Sequence, residues 1–142
     1  MILVEQLITP SDTDVAAINS VLNELKQDGS AVEKSELEDF LARDTVELWV
    51  ARDDGMIVGM ASLIEIPMML KTKMDVEDVV VSPSQQGKGI GKMLMQKIIE
   101  RAKEKGAAMV ELTSRPTREA ANALYQKVGF EKRDTNCYRL TF

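Results

Sequence analysis

Residues 79–92 read VVVSPSQQGKGIGK, and this stretch decides how the rest of the chain is arranged. Three consecutive valines predict a buried strand, Ser82-Pro83-Ser84 ends it, and the glycine segment 87–91 opens a long amphipathic helix. Glycine has no Cβ, so a ligand can approach its backbone closely, and the first N–H groups of a helix have no partner within it. The stretch therefore predicts an anion-binding loop, to which Lys88 and Lys92 add local positive charge.

Two familiar nucleotide-binding motifs do not fit this loop. A P-loop requires serine or threonine after Gly91-Lys92, where Met93 stands, and a glycine where Gln86 stands. A dinucleotide fingerprint requires a third glycine at the position that Lys92 occupies. The anion is thus not predicted to belong to either of these nucleotide classes.

Outward from the loop, hydrophobic periodicity and turn residues predict alternating strands and helices. Strands are predicted at residues 2–8, 47–52, 56–64, 73–81, 109–113, 130–133 and 136–141. Helices are predicted from a cap at Thr9-Pro10 to about Gln27 and at residues 32–43, 89–105 and 117–128. Because a helix joins strands 73–81 and 109–113, these two are expected to lie parallel through a right-handed crossover. The expected fold is a single α+β (α/β) domain over residues 1–142, whose sheet of six to seven strands is mixed but mostly antiparallel, with about four helices and a central βαβ unit.

Composition excludes several kinds of site and partner. The 142 residues carry a net charge of −5, which disfavours nucleic acid as a partner. Histidine is absent and Cys137 is the one cysteine, so zinc sites with thiolate and imidazole ligands and Ser-His or Cys-His catalysis are excluded, and no metal is expected. The first residues lack a secretory pattern and no run reaches the ~18 apolar residues of a membrane span, so a cytoplasmic protein without a membrane partner is expected.

The loop and its flanks resemble the GNAT superfamily of N-acetyltransferases. Gln86-x-x-Gly89-x-Gly91 directly after a strand is similar to the [QR]-x-x-G-x-[GA] motif of that superfamily. Two further stretches resemble family signatures in order and spacing: Glu77-Asp78-Val79-Val80-Val81-x-Pro83 upstream and Asn122-x-Leu124-Tyr125-x-x-x-Gly129-Phe130 downstream. On the hexapeptide alone, a glycine-lined turn that merely starts a helix remains an alternative. The resemblance implies the GNAT fold.

The resemblance also implies acetyl-CoA as cosubstrate. In that family the backbone N–H groups of the loop hold the diphosphate; the corresponding residues here are Gln86, Gly87, Lys88, Gly89, Ile90, Gly91 and Lys92. The pantetheine arm would run along Val79, Val80 and Val81, and Asn122 would contact the cofactor. From the residues alone, the valines also suit any buried strand, the lysines any helix end, and Asn122 an ordinary exposed amide.

Two residues are implied as catalytic by the same resemblance. Tyr125 would be the general acid for the leaving thiolate, and Glu77 the general base for the amine. Glu77 and Asp78 are adjacent in a strand, so they are expected to point to opposite faces of the sheet. Glu111 or a chain of water molecules are alternative bases, and a tyrosine that only packs the last helix is the alternative for Tyr125. Without histidine, and with an isolated cysteine, direct transfer in a ternary complex is expected.

The expected function is transfer of an acetyl group from acetyl-CoA to a primary amine of a small molecule or of a peptide or protein. A non-catalytic acetyl-CoA sensor and a structural protein without cofactor are the alternatives. Glu77-Asp78 and the late tyrosine are also similar to the small glucosamine-phosphate acetyltransferases, but no phosphate site for the sugar is evident. By analogy with the family, C-terminal strands would pair two subunits into a homodimer.

Overall fold

The computed structural model describes residues 1–142 and contains four α-helices, one 3₁₀ turn and one five-stranded sheet. The strands are β1 (Ile2–Leu7), β2 (Val46–Asp53), β3 (Met56–Pro67), β4 (Thr72–Val81) and β5 (Val110–Glu111). The helices are α1 (Asp12–Lys26), α2 (Lys34–Leu41), α3 (Ile90–Glu104) and α4 (Glu119–Lys127), and the 3₁₀ turn is Pro83–Gln85. The strands lie in chain order, each antiparallel to the one before, except that β5 is parallel to β4. The predicted βαβ unit is therefore confirmed.

Local signals explain where the first elements begin and turn. The N–H of Asp14 donates to the Ser11 hydroxyl and the N–H of Ser11 donates to the Asp14 carboxylate, which forms a capping box. The sequence predicted a helix cap at Thr9, but the cap of α1 is Ser11. Asp54 and Gly55 both have positive φ, 47° and 87°, so the predicted β2–β3 hairpin is confirmed and turns through the two residues that tolerate this conformation.

The sheet is covered on both faces, and each face has its own hydrophobic core. The core under α3 and α4 consists of Trp49, Ala51, Ala61, Leu63, Met74, Val76, Ile90, Leu94, Met95, Ile98, Ala102 and Tyr125. The core under α1 and α2 consists of Leu7, Ala17, Ile18, Val21, Leu37, Leu48, Val50, Ile57, Met60 and Val80. Because β4 contributes side chains to both cores, its position is fixed from both sides.

Glu47 of β2 ties α3 to the sheet. Its buried carboxylate accepts hydrogen bonds from the Arg101 guanidinium at 2.9 Å and from the Trp49 indole at 3.0 Å. Burial alone would raise the pKa of Glu47, but the hydrogen bonds from Arg101 and Trp49 outweigh it, and the pKa lies below its ordinary value. The ion pair therefore fixes the helix that begins at the glycine loop.

β4 carries a β-bulge opposite Ala61. The register pairs Glu77 with Ser62 and Val80 with Met60. Two residues of β4, Asp78 and Val79, thus face the single residue Ala61, and Asp78 adopts a left-handed φ of 54°. The extra residue reverses the inside–outside alternation: Met74 and Val76 face α3, whereas Val80 faces α1.

The predicted sheet of six to seven strands is wrong, because the sheet has five. Segments 130–133 and 136–141 form no strand, and β5 covers only Val110–Glu111 of the predicted 109–113. A strand exists only where its N–H and C=O groups pair with a neighbour, and neither of the last segments pairs with a strand of the sheet. The alternation of apolar residues in these segments predicts a strand with one apolar face, but it does not identify a neighbouring strand with which that strand could pair.

Candidate active site

The site lies where β4 and β5 part. The two strands pair only at Met74 with Val110 and at Asp75 with Glu111. Beyond Asp75 no residue of β4 pairs with β5, although β4 continues to Val81. The edge of the second half of β4, from Glu77 to Val81, is therefore open on the side away from β3.

Two carbonyl groups mark this open edge. The Val79 carbonyl accepts a hydrogen bond from the Arg118 guanidinium at 3.3 Å, and the Val81 carbonyl accepts one from the Gln86 side-chain amide at 3.2 Å. Backbone groups of successive strand residues alternate in direction, so Val80 points its own groups toward Met60 of β3. The Val80 side chain is buried in the α1–α2 core. The backbone groups of Val79 and Val81 thus face the candidate site, whereas both the backbone groups and the side chain of Val80 point away from it.

The glycine loop presents six consecutive free amides. No N–H group from Gly87 to Lys92 donates a hydrogen bond anywhere in the chain. Gly87 and Gly89 both have φ of +80°, and a Cβ built on either would meet nothing within 4 Å. Glycine is thus required at these two positions by conformation. Successive amides at a helix start form a site for an anion with several oxygens, such as a diphosphate.

Gly91 is required for a different reason. A Cβ at this position would lie 3.0 Å from Cδ2 of Leu124, so its absence lets α3 pack against α4. The neighbouring Ile90 is buried, so that its side chain anchors the helix start in the core while its amide stays free. Ile90 and Gly91 therefore offer the site their backbone amides alone.

Two lysines flank the free amides. The Lys88 ammonium donates to the Gln85 side-chain oxygen at 2.7 Å and makes no ion pair. Lys92 is exposed on the first turn of α3 and also makes no ion pair. Both cations therefore remain available to a negatively charged group at the helix start.

Tyr125 of α4 lies in the core beneath the open edge. Only 5% of the residue is exposed, and its ring contacts Phe130 edge-on with 6.1 Å between centroids. Burial raises the pKa of Tyr125 above its ordinary value, and the positive charge of Arg118 partly opposes this increase. The hydroxyl is therefore held protonated next to a cation.

Asn122 holds the segment that leads into α4. Its side-chain amide donates to the Arg115 carbonyl at 2.9 Å, so Asn122 stabilises this loop within the chain. The Asn122 side chain was expected to contact the cofactor, and in the structure it contacts the Arg115 carbonyl instead.

Arg118 is the residue that the sequence interpretation missed. Its guanidinium donates to the Val79 carbonyl, and its positive charge lowers the pKa of Tyr125 against the effect of burial. Arg118 therefore connects the open edge to the phenol. Arg118, Asn122 and Tyr125 stand at positions i, i+4 and i+7, which share one helical face. This spacing was the available signal.

Glu77 and Asp78 lie on the same side of the sheet, contrary to the expected alternation. Glu77 is the cross-strand neighbour of Ser62, and Asp78 accepts a hydrogen bond from the Ser62 hydroxyl at 3.1 Å. The bulge at Asp78 turns its side chain back to the face of Glu77. Burial raises the pKa of Glu77, and the nearby charges of Asp78 and Asp75 raise it further.

Glu111, the alternative base, has a different environment. It accepts hydrogen bonds from the Lys73 ammonium at 2.9 Å and from the Arg133 guanidinium at 3.0 Å. The hydrogen bond from Lys73 is the main reason why the pKa of Glu111 lies below its ordinary value. A carboxylate that is neutralised by two cations is a weak base, so the geometry favours Glu77.

The comparisons with known proteins agree with this geometry. Residues 16–130 match the model of the acetyltransferase (GNAT) family. The chain belongs to this family. GNAT relatives include a glucosamine 6-phosphate N-acetyltransferase of Trypanosoma brucei brucei, 35% identical over 106 residues, which are 71% of this chain and 70% of the relative. The N-alpha-acetyltransferase RimI of Mycobacterium tuberculosis is 33% identical over 82 residues, 58% of this chain and 50% of its own length.

A solved GNAT structure shows the same architecture over the whole chain. The crystal structure of a Trypanosoma brucei acetyltransferase superposes with a TM-score of 0.82 at 27% identity, and it covers 100% of both chains. The mixed α+β fold with one sheet and four helices is thus the GNAT fold. The chain spans about half or less of several curated relatives, for example 45% of mouse N-acetyltransferase family 8 member 3. None of its helices is long and apolar enough to cross a lipid bilayer.

Proposed function

We propose that the protein is an acetyl-CoA-dependent N-acetyltransferase that transfers the acetyl group directly to a primary amine in a ternary complex. The observation that carries this proposal is the run of six free amides, Gly87 to Lys92, beside the open edge of β4. Membership of the GNAT family supports the same donor. A cytoplasmic location and the absence of a nucleic-acid partner stay predictions from the sequence.

The residues at the open edge fit coenzyme A in their donor and acceptor chemistry. The free amides and the two unpaired lysines suit a diphosphate, whereas the Val79 and Val81 carbonyls suit the amide N–H groups of an extended arm. These carbonyls are covered only by the side chains of Arg118 and Gln86, which can rotate away without breaking the sheet. Bound there, acetyl-CoA supplies the acetyl group as a thioester.

Tyr125 acts as the proton donor to the leaving thiolate. Burial keeps its phenol protonated at neutral pH, so the proton is present when it is needed. Arg118 opposes the increase in the phenol pKa and therefore keeps the hydroxyl a better donor than burial alone would leave it. Arg118 is thus a positioning residue that acts through Tyr125.

Glu77 acts as the base that removes a proton from the amine, directly or through water. Its carboxylate takes part in no ion pair and no hydrogen bond, and its raised pKa makes it a stronger base than an ordinary glutamate. The neighbouring carboxylate, that of Asp78, is held in place by the hydrogen bond that it accepts from the Ser62 hydroxyl. Because the amine attacks directly, no residue of the chain carries the acetyl group.

The charges near Glu77 bear on the class of amine. Asp75, Glu77 and Asp78 follow one another along β4, and of these Asp75 alone is paired, with Lys73 at 3.2 Å. Such a region attracts a cationic amine and repels phosphate. The trypanosomal relative is named for an amino-sugar phosphate and the mycobacterial one for N-alpha-acetylation. We therefore favour an amine without a phosphate group, which includes the amino terminus of a peptide.

An acetyl-transfer assay tests the proposal. Release of free coenzyme A would be followed with a panel of amines that includes polyamines, aminoglycosides, peptides with free amino termini and glucosamine 6-phosphate. We expect turnover with at least one amine by the wild-type protein and none by Gly89→Asp, because the new carboxylate stands among the free amides. Gly29→Asp is the matched control, since Gly29 has nearly the same φ, +77°, in a loop outside the site.

Ligand stabilisation separates the alternatives. Acetyl-CoA at a hundred times its Kd should add about 2.7 kcal/mol to the free energy of unfolding. Stabilisation without turnover of any amine would indicate a sensor, and absence of stabilisation would indicate a protein without this cofactor. Either result contradicts the proposal.

A further inference from the structure

Ser62 is a buried polar residue in the middle of the sheet. It lies on β3 between β2 and β4, and only 1% of the residue is exposed. A buried hydroxyl that lacks a hydrogen bond destabilises a fold, and alanine would occupy the same place without that cost. The one hydrogen bond of the Ser62 hydroxyl goes to the Asp78 carboxylate, at 3.1 Å. The presence of serine at this position is therefore explained by Asp78.

Asp78 is unusual for a reason of its own. Its φ of 54° lies in the left-handed region, where a residue with a Cβ loses conformational free energy. Glycine would form the same bulge without this cost, yet the chain carries an aspartate, whose carboxylate meets the Ser62 hydroxyl. A strained residue and a buried hydroxyl that meet in one hydrogen bond indicate that the side chain of Asp78 has a use beyond forming the bulge.

The hydrogen bond keeps a second carboxylate beside Glu77. Ser62 is the cross-strand neighbour of Glu77, and its hydroxyl donates to the residue that follows Glu77 in β4. Asp78 is partly exposed, so its carboxylate would be free to turn toward water if this hydrogen bond were absent. Ser62 therefore decides where the charge of Asp78 lies relative to Glu77.

Asp78 contributes the main charge that acts on Glu77. Burial is the largest cause of the raised pKa of Glu77, the charge of Asp78 comes next, and that of Asp75 comes after it. Asp75 is held in an ion pair, whereas Asp78 forms none. From α1, Lys26 acts in the opposite direction and lowers the pKa of Glu77. The adjacent strand β5 carries Glu111, whose charge two cations neutralise.

We propose that Ser62 is a positioning residue for acetyl transfer, because its buried hydroxyl holds the Asp78 carboxylate beside Glu77 and thereby makes Glu77 an effective base. This inference rests on the proposed function, in which Glu77 takes the proton of the amine. Ser62 contacts neither the cofactor nor the amine and acts through Asp78. A fixed negative neighbour favours the protonated form of Glu77, so Glu77 accepts the proton more readily.

The first test is a ¹³C NMR titration of the side-chain carboxyl groups in the protein without ligands, so its result does not depend on turnover. The resonance of Glu77 would be assigned from its absence in Glu77→Gln. We expect a lower pKa of Glu77 in Ser62→Ala, because the freed Asp78 carboxylate turns toward water, where its charge is screened. Asp78→Asn, which removes the charge and keeps the side-chain shape, should lower the pKa of Glu77 at least as much. The double variant should match Asp78→Asn alone, because Ser62 acts only through Asp78.

Ser30→Ala is the matched control for this titration. The Ser30 hydroxyl also donates to an aspartate, Asp28, in an exposed loop outside the site. Its removal should raise the pKa of Asp28, which this hydrogen bond lowers, and should leave the pKa of Glu77 unchanged. A Glu77 titration that does not respond to Ser62→Ala, or that shifts further in the double variant than in Asp78→Asn, would overturn the proposal.

The second test is the pH dependence of kcat/KM with an amine that the wild-type protein acetylates. In Ser62→Ala, kcat/KM should fall about threefold at neutral pH, and its decrease in acid should begin at a lower pH, because Glu77 acts when deprotonated. A loss that is equal at every pH would make Ser62 a purely structural residue and would overturn the proposal. Absence of turnover by the wild-type protein would contradict the proposed function itself, whereas the titration decides separately whether Ser62 controls Glu77.

Discussion

The two halves of β4 share one strand and serve different purposes. The first half, Thr72 to Val76, pairs with β3 on one side and reaches β5 on the other, and its residues Met74 and Val76 are buried under α3. The second half, Glu77 to Val81, pairs with β3 alone and carries the bulge at Asp78. The half of β4 that has neighbours on both sides contributes to the core, and the half with one open edge lines the candidate site.

The difference shows how an edge of the sheet can stay open without loss of the fold. In the second half, the outward carbonyls of Val79 and Val81 bond to the side chains of Arg118 and Gln86. Side chains can leave at the cost of a hydrogen bond, roughly 1 kcal/mol each, whereas a paired strand cannot. Under the proposed function, the sheet would therefore stay intact when a ligand takes these acceptors.

The largest expected effect is on the closed half. Met74→Ala should lower the free energy of unfolding by about 3 kcal/mol, because Met74 is fully buried and truncation leaves a cavity. The Kd of acetyl-CoA for the folded variant should stay within about twofold of wild type. Denaturant titration and calorimetry measure the two quantities. A loss below about 1 kcal/mol, or a clear loss of affinity, would mean that the two halves are not separate in function.

Tyr125→Phe should lower kcat by about 100-fold, since a positioned proton donor contributes at least that factor. Binding of acetyl-CoA should be unchanged, because the phenyl ring keeps the packing against Phe130. Steady-state kinetics with a saturating amine measure the first quantity and calorimetry the second. Full turnover by the variant would remove Tyr125 from the mechanism.

Glu77→Gln should lower kcat/KM by about tenfold and change its pH dependence. A base acts when deprotonated, so the wild-type rate should fall as the pH drops through the raised pKa of Glu77, and this fall should vanish in the variant. Glu111→Gln is the matched control, because the paired Glu111 has a lowered pKa. An unchanged pH–rate profile for Glu77→Gln, or a changed one for Glu111→Gln, would reverse the assignment.

Arg118→Met should have the smallest effect, about threefold on kcat. Removal of the guanidinium should raise the pKa of Tyr125 further, which a titration of tyrosinate absorbance would show. Arg115→Met is the control, since Arg115 is exposed and contacts this region only through its backbone carbonyl. A Tyr125 titration that does not respond to Arg118→Met would make Arg118 a purely structural residue.

Much of the fold follows from local sequence. The predicted helix 89–105 is observed as Ile90–Glu104, and the predicted strand 73–81 as Thr72–Val81. Helical periodicity and turn residues act over a few positions, so a single sequence reveals them. The glycine loop was predictable for the same reason, because the requirement for positive φ at Gly87 and Gly89 is local.

The remaining features depend on contacts between distant residues. Nothing near Asp78 in the sequence indicates a bulge, which arises from the register against β3, and so the opposite faces expected for Glu77 and Asp78 were wrong. The predicted C-terminal strands are absent, because alternation of apolar residues does not determine which strand a segment pairs with. The contact of Arg118 with Val79 joins residues 39 positions apart.

The most direct test of the central claim is an amide NMR titration of the labelled wild-type protein with acetyl-CoA. The open half of β4 and the free amides should respond together, with large shifts confined to Val79, Val81 and residues 87–92. The amides of residues 72–76 should stay in place, because their partners do not change. Absence of shifts in residues 87–92 at saturating acetyl-CoA, or shifts centred on residues 72–76, would contradict the account.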